Sequence, residues 1–156
     1  MSTRKYNFQK EIDAKKTARA SMSNIPISTK YAVEFSNYFN GMLLRKAIKI
    51  TEDIEQKKDY LPLVKYNLKV AHRKGASKRN VASGRYPVKA TKYVKNLLLD
   101  VKSNAENLNL DFEKLKIIHM FANKGVTRSK LQPLGRVAGK QRESKSTNIE
   151  VIVLEE

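Results

Sequence analysis

Two strand-like segments near the C-terminus enclose a stretch that is too long for a turn. Residues 115–122 and 149–154 are rich in β-branched and apolar residues, and the second segment alternates apolar residues with other types. The 23-residue stretch 124–146 contains three glycines, one proline, seven Lys or Arg and a single acid, Glu143. A structureless loop of that length is uncommon in a compact domain unless it is functional or disordered. We therefore predict two antiparallel strands whose ladder continues outward through 124–146 as an extended β-hairpin.

The geometry of this hairpin indicates the kind of surface that it needs. At roughly 3.3 Å per residue, an arm of about 10 residues carries the tip about 35 Å from the domain. Proline and glycine predict the turn near Gln132–Gly135. A two-stranded ribbon is marginally stable in water unless it packs on something. Because this ribbon is basic, the surface on which it lies should be anionic.

A second basic block lies in the middle of the chain. No acidic residue occurs between Tyr60 and Leu99, where there are ten Lys or Arg residues. We predict a basic loop insertion at 60–86, because its Gly, Ser and Ala residues let the backbone approach a phosphate that the cations neutralise. Tyr66 and Tyr86 lie between the charges. Each could stack on an exposed base or pack against the core.

The formal net charge of +17 favours a polyanionic partner, and nucleic acid is the leading one. We expect no membrane association, because the chain has no run of about 18 apolar residues. Cysteine is absent, which excludes disulfides and thiolate metal sites and fits a reducing compartment. The N-terminus is charged and has no hydrophobic run of the signal-peptide type. We therefore expect a cytosolic protein.

The remaining sequence predicts an α+β body, with three helices packed on a three-stranded antiparallel sheet in one domain, 1–156. Apolar spacing predicts helices at about 29–40 and 87–107, and one between them with Leu44, Ala47, Ile48, Thr51 and Ile54 on one face. Ser28 is a candidate side-chain cap of the first helix, and Pro87 suits the first position of the third. The apolar stripe of the third helix is Thr91, Val94, Leu98, Val101, Ala105 and Leu108.

The N-terminal residues 1–24 are polar and basic, which is typical of an arm that becomes ordered on binding. Tyr6 and Phe8 could stack on bases or pin the arm to the body. The alternation at 22–27, with a proline, predicts an edge strand that joins the other two.

No arrangement of titratable residues indicates an enzyme. The two histidines, His72 and His119, are isolated in sequence, and no His, Asp and Glu cluster has ligand spacing. The segment Gly135–Lys140 is one residue short of a P-loop and is not followed by a helical pattern, so it is a chance match. The acids Glu52, Asp53 and Glu55 fit a solvated helix face. We predict no catalytic site, no metal site and no cofactor.

The basic segments supply the candidate RNA-binding residues outside the hairpin arms. These are Lys15, Lys16, Arg19, Lys65, Lys69, His72, Arg73, Lys74, Lys78, Arg79, Arg85, Lys89, Lys92 and Lys124. An alternative is a DNA-architectural protein whose β-arm enters a groove, with Pro133, flanked by Leu131 and Leu134, as the wedge. Two further basic segments suit an irregular RNA surface better than a two-fold groove.

Several motifs resemble the universal large-subunit ribosomal protein family twenty-two, called family seventeen in the eukaryotic naming. In order they are DAKKTARASMSNIPIS, TKYAVEFSNYFNGMLLRKA, HRKG, GRYPVKATKYVKNLLLDVKSNAE, LKIIHMFANKG and NIEVIVLEE. The similarity extends from about Asp13 to Glu156. The GRYPVKA-to-SNAE helix and HMFANKG are the most specific parts. The insertion at 60–86 and the N-terminal block resemble the archaeal and eukaryotic branch.

The resemblance implies a monomer within the cytoplasmic ribosome, bound to large-subunit ribosomal RNA beside neighbouring large-subunit proteins. It implies a hairpin that reaches through the RNA to line the exit tunnel of the nascent peptide. The implied hairpin contacts to RNA are Arg128, Lys130, Arg136, Lys140, Arg142 and Lys145. The implied tunnel-facing residues are Gln132, Pro133, Leu134, Gly135, Arg136 and Val137. This tip has fewer arginines than is common in the family, and the return arm from Lys140 to Asn148 is short.

Overall fold

In the computed structural model, which describes residues 6–74 and 80–155, the three long helices and the sheet expected of an α+β body are present, which confirms the predicted fold class. Helices α1 and α3 pack on one face of a three-stranded antiparallel sheet, and α2 packs against α3. The elements are, in chain order, β1 (Thr17–Ile25), α1 (Thr29–Phe39), α2 (Leu44–Glu55), β2 (Leu61–Pro62), β3 (Gly84–Arg85), α3 (Val88–Asn107), β4 (Leu115–Lys124), β5 (Arg128–Leu131), β6 (Gln141–Ser144) and β7 (Thr147–Glu155).

The main sheet has the order β1-β7-β4, so the C-terminal strand is central and β1 is an edge strand. The edge strand begins at Thr17, and the prediction of a strand at 22–27 was wrong in its bounds. Residues 17–24 therefore belong to the sheet and not to an N-terminal arm. The start of the strand could not be predicted from the sequence, because its buried apolar side chains are Ala18 and Ala20, which contribute little to a hydrophobic pattern.

The helices follow the predicted stripes with three differences. Ile50 is buried in α2, whereas Ile48 is half-buried. Leu108 lies beyond the end of α3 and is 49% exposed, so it does not extend the stripe. Ser28 is at the cap position of α1, but its side chain makes no capping hydrogen bond, and its carbonyl oxygen accepts from Ala32 N.

The sheet face opposite the helices is covered in part by the N-terminal residues. The Tyr6 ring lies 5.9 Å from the Arg19 guanidinium, and the Phe8 ring centroid is 5.1 Å from that of His119. Between them Asn7 N donates to Glu150 Oε1, which also lies 3.0 Å from His119 Nε2. Of the two roles open to Tyr6 and Phe8, the structure shows the packing role, because both rings contact the body.

Candidate nucleic-acid interface

The basic loop is closed at its base by the two-residue strands β2 and β3, which the sequence did not predict. Leu61 pairs with Arg85, and Pro62 pairs with Gly84. A Cβ at Gly84 would lie 2.1 Å from the Tyr60 ring, so only glycine allows this close approach. The pairing brings the two ends of the loop together. It therefore holds Arg85 and Tyr86 beside the first residues of the loop.

A buried carboxylate attaches the loop to the body. Glu34 of α1 is 1% exposed, and its two oxygens accept hydrogen bonds from the backbone N–H groups of Val64, Lys65 and Tyr66 at 3.1, 2.8 and 2.7 Å. Three backbone donors compensate for the removal of this charge from water. The contact fixes the start of the basic loop against α1. It therefore positions the cations that follow.

A groove lined by two tyrosines lies between the loop and the body. We call it the tyrosine groove. Its lining residues are Tyr31, Lys57, Lys69, Ala71, Arg73, Arg85 and Tyr86.

The cations of the tyrosine groove come from three parts of the chain. Lys57 follows α2, Lys69 and Arg73 belong to the loop, and Arg85 ends β3. None of these four cations forms an ion pair with another described residue. Four uncompensated charges in one groove repel each other, and a bound anion relieves that repulsion.

Arg73 is held in a defined position in this groove. Its Nε donates to the carbonyl oxygen of Gly84 at 2.8 Å, and its guanidinium lies 5.2 Å from the Tyr86 ring centroid. Tyr66 is similarly accompanied by cations, with the amines of Lys30 and Lys65 at 5.5 and 5.9 Å from its ring. Tyr66 and Tyr86 are both half-buried. Each ring therefore packs in part against the protein and leaves part of its surface accessible for stacking.

The hairpin leaves the body through a tightly packed junction. Asn24 Oδ1 accepts from Val126 N at 3.0 Å and from Ser146 Oγ at 3.2 Å. A Cβ on Gly125 would lie 2.5 Å from Ser146 Oγ and 2.7 Å from Asn24 Oδ1, so any larger residue would displace these two side chains. Beyond the junction β5 and β6 form a separate two-stranded ribbon, with Arg128 opposite Ser144 and Leu131 opposite Gln141. We call residues 125–146 the ribbon.

The tip of the ribbon is longer than the predicted turn at Gln132–Gly135. It extends from Gln132 to Lys140, because Gln132 N donates to Lys140 O at 3.0 Å and Gly139 N to Gln132 O at 2.9 Å. Lys140 therefore closes the tip and is not part of the return strand. The side chain of Gln132 accepts from Arg142 Nε and Nη2 at 3.0 and 2.9 Å, so one edge of this guanidinium is used within the ribbon.

The ribbon presents its cations to solvent. Lys145 pairs with Glu143 at 3.6 Å, and none of the other six cations forms an ion pair with a described residue. The exposed cations of the ribbon and its base are Lys124, Arg128, Lys130, Arg136, Lys140, Arg142 and Lys145. Leu131 and Leu134 near the tip are 71% and 79% exposed. The strands thus carry charge, and the tip combines charge with apolar groups.

The first turn of α1 lies between the two basic surfaces. Thr29 lines a depression with Lys124, Lys145 and Ser146 at the base of the ribbon. Two residues further on, Tyr31 lines the tyrosine groove. The first turn of α1 therefore contributes one residue to each basic surface, on different sides of the helix.

The other predicted RNA-binding residues are divided among several surfaces. Lys89 lines an apolar depression that also includes Tyr31, and Lys92 extends instead toward Glu55 of α2 at 3.9 Å. Exposed loop positions are occupied by Lys65, His72 and Lys74. Near the N-terminus, Lys15 and Lys16 precede β1, and Arg19 lies on the sheet face that Tyr6 covers. Lys78 and Arg79 lie outside the described residues.

The acids on α2 have a structural role. Lys95 of α3 lies 3.2 Å from Glu52 and 3.6 Å from Glu55, so these carboxylates bridge two helices and are not simply a solvated face.

Across the described parts of the chain, no group of three or more His, Cys, Asp or Glu residues could hold a metal ion. No helix in those parts is long and apolar enough to cross a membrane.

Four contributors to this interface were not predicted from the sequence, namely Asn24, Tyr31, Glu34 and Lys57. Glu34 lies on the opposite side of α1 from the stripe of Ala32, Phe35 and Phe39, so periodicity predicts an exposed residue. Lys57 follows α2 and gave no signal beyond its charge. Asn24 has a positive φ of 55°, and an asparagine before a proline-containing segment is a weak indication of such a turn.

Comparison with known proteins supplies the remaining observation. The family model for ribosomal protein L22p/L17e matches residues 20–154. A large ribosomal subunit protein uL22 from Ignicoccus hospitalis is 40% identical over 146 residues, covering 93% of this chain and 92% of the relative. The uL22 of Methanocaldococcus jannaschii is 40% identical over 153 residues, covering 97% and 96%. That of Aeropyrum pernix is 36% identical over 144 residues and covers 92% of each.

Proposed function

The chain belongs to the ribosomal protein L22p/L17e family, and from that premise we propose that it binds large-subunit ribosomal RNA through the ribbon and the tyrosine groove together. Membership confirms the family that the motifs resemble. The family is one of ribosomal structural proteins and not of enzymes. Its curated relatives are named as proteins of the large ribosomal subunit.

The observation that carries the RNA proposal is the set of cations without ion-pair partners. Ten of them, six on the ribbon and its base and four in the groove, have no ion-pair partner among the described residues. They lie on two surfaces, and the first turn of α1 contributes Tyr31 to one and Thr29 to the base of the other. Phosphate neutralisation releases counterions, and this sequence-independent term accounts for much of the affinity of such surfaces. Ribosomal RNA presents phosphates along both.

We propose further that the tip of the ribbon lines the peptide exit tunnel. The tip Gln132–Lys140 is closed by hydrogen bonds within the ribbon, which define its shape. Leu134 and Val137 expose apolar surface there, while Arg136 supplies charge. A surface of this kind offers a passing nascent peptide shape more than charge. Neighbouring large-subunit proteins would then contact the body, which acts as a monomer.

The DNA-architectural alternative is less well supported. Its wedge, Pro133 with Leu131 and Leu134, is exposed as an inserting group must be. However, the tyrosine groove would have no role in a protein that binds only by a β-arm. Family membership also favours ribosomal RNA.

Binding of the full-length chain to purified large-subunit ribosomal RNA tests the proposal. We expect Arg128→Gln with Lys130→Gln on the ribbon, and Lys57→Gln with Lys69→Gln in the groove, each to weaken binding and to lower the salt slope by about 1.4 to 1.8, since each removes two phosphate contacts. Lys46→Gln with Lys49→Gln on exposed positions of α2 removes the same charge elsewhere and serves as the control. Equal losses in all three variants would mean that net charge alone binds the RNA.

A further inference from the structure

The tyrosine groove has a composition that phosphate binding alone does not require. Its cations could neutralise a phosphate on any surface, yet here they surround two half-buried aromatic rings, Tyr31 and Tyr86. An adjoining groove shares Tyr31 and Arg85 and adds Tyr66 and Lys65. Rings and cations thus line both depressions, which share Tyr31 and Arg85. Rings and cations on one surface are typical of proteins that bind single-stranded nucleic acid, where bases stack on rings and the backbone follows the charges.

We propose that the tyrosine groove is a subsite for unpaired nucleotides of RNA, with a base stacked against the Tyr86 and Arg73 pair and the flanking phosphates on Lys57, Lys69 and Arg85. This inference rests on the proposed RNA binding and specifies which part of the RNA the groove binds. A helical duplex keeps its bases stacked inside, so a groove-lining ring reaches only a base that has left the helix.

The arrangement of Arg73 supports stacking in particular. The hydrogen bond from its Nε to Gly84 O holds the guanidinium plane beside the Tyr86 ring, so this pair is formed before any ligand arrives. Bases stack on guanidinium planes as well as on aromatic rings. The loop that carries Arg73 is attached by Glu34 and closed by Gly84, so the site is pre-organised by contacts outside it.

A binding experiment with defined oligonucleotides separates base stacking from phosphate binding. The full-length protein is titrated into a labelled single-stranded RNA octamer, an abasic octamer with the same phosphates, and an eight-base-pair RNA duplex. Stacking predicts that the intact single strand binds about tenfold more tightly than the abasic one. Tyr86→Leu should abolish that preference, whereas Tyr86→Phe should keep it, because the ring remains.

Two controls locate the effect. Lys69→Gln should weaken the intact and the abasic octamer equally, because it contacts phosphate. Tyr6→Leu removes a ring from the opposite sheet face and should change nothing. Thermal unfolding of each variant establishes that it folds.

The outcomes distinguish this inference from the proposed function. If the wild-type chain binds large-subunit ribosomal RNA but does not prefer the intact octamer to the abasic one, the stacking site is refuted and RNA binding stands. A preference that persists in Tyr86→Leu and in Tyr31→Leu places stacking outside the groove and also refutes the inference. Failure of the wild-type chain to bind ribosomal RNA at all would refute the proposed function itself.

Discussion

Glu34 shows how one residue can determine the position of a whole binding surface. Its carboxylate accepts three backbone hydrogen bonds in a site with 1% exposure. Glu34→Gln replaces one acceptor oxygen by a donor that faces a backbone N–H, so we expect a loss of about 1–3 kcal/mol in the free energy of unfolding. Chemical denaturation measures that loss, and hydrogen exchange at residues 64–66 should accelerate. The control is Glu106→Gln, which makes the same change at an exposed position of α3. Unchanged exchange at 64–66 would show that the carboxylate does not hold the loop.

Gly125 lies at the junction from which the ribbon leaves the body. A methyl group there would overlap Ser146 Oγ and Asn24 Oδ1, so Gly125→Ala must displace these two side chains, and Asn24 Oδ1 accepts the hydrogen bonds that hold the junction. We expect the variant to keep its thermal stability within about 1 kcal/mol, since the junction is outside the core, and to incorporate poorly into large subunits because the ribbon is misdirected. Gly139→Ala at the open tip meets no atom within 4 Å, although its φ of +81° carries strain, and serves as the comparison. Equal incorporation of the Gly125 variant and the wild type would contradict this role.

Residue-level burial was the property least accessible from the sequence. Periodicity identified Phe35 and Phe39 of α1 as core residues, because they face the sheet. It could not identify Glu34, since the element that buries it is a loop without periodicity. The same limit applies to Tyr31 and Lys57, which meet in the tyrosine groove only after the loop has folded over α1.

At the level of elements, we expect the ribbon and the body to be separable. No residue from 126–145 belongs to the hydrophobic core of the described chain. Replacing residues 126–145 by a short glycine-containing turn should therefore leave a body that unfolds cooperatively. Calorimetry of the shortened protein measures the transition. Loss of a cooperative transition would show that the ribbon is part of the folding unit.

The strands and the tip of the ribbon should differ in function. Loss of charge at Arg128, Lys140 and Arg142 should weaken incorporation, because these residues carry charge along the arms and at the closure of the tip. Arg142→Gln should in addition release Gln132, which it holds by two hydrogen bonds. Leu134→Ala should leave incorporation intact and change translation of the resulting particles. Competition between tagged variants and wild type for large subunits measures the first effect. If Leu134→Ala blocks incorporation as strongly, the tip is itself an anchor.

The order of the long elements could be predicted from the sequence, whereas the short or alanine-lined strands could not, because only continuous buried surface gives a clear hydrophobic pattern. The long apolar stripe of α3 and the β-branched segments of β4 and β7 bury continuous surface, so their patterns are strong. The start of β1 was missed because alanines line it, and β2 and β3 were missed because two-residue strands have no pattern. The ribbon was predicted from its length and charge, but the turn was predicted at Gln132–Gly135, whereas the tip extends to Lys140.

For the whole molecule, we expect an affinity for ribosomal RNA that depends steeply on salt. With ten cations available, log K should fall by about 0.7 to 0.9 for each phosphate contacted per unit of log salt. Filter binding between 50 and 400 mM salt measures the slope. A shallow slope would mean that apolar contacts dominate and that the unpaired cations have another purpose.

The most direct test of membership in a large subunit is sedimentation of a cell extract through a sucrose gradient at high salt, with the chain detected in each fraction. Loose electrostatic association dissociates under these conditions, whereas a protein whose ribbon is inserted into RNA stays bound. We expect the chain to migrate with large subunits and the protein lacking residues 126–145 to remain at the top of the gradient. Recovery of the full-length chain as free protein, or with DNA, would contradict it.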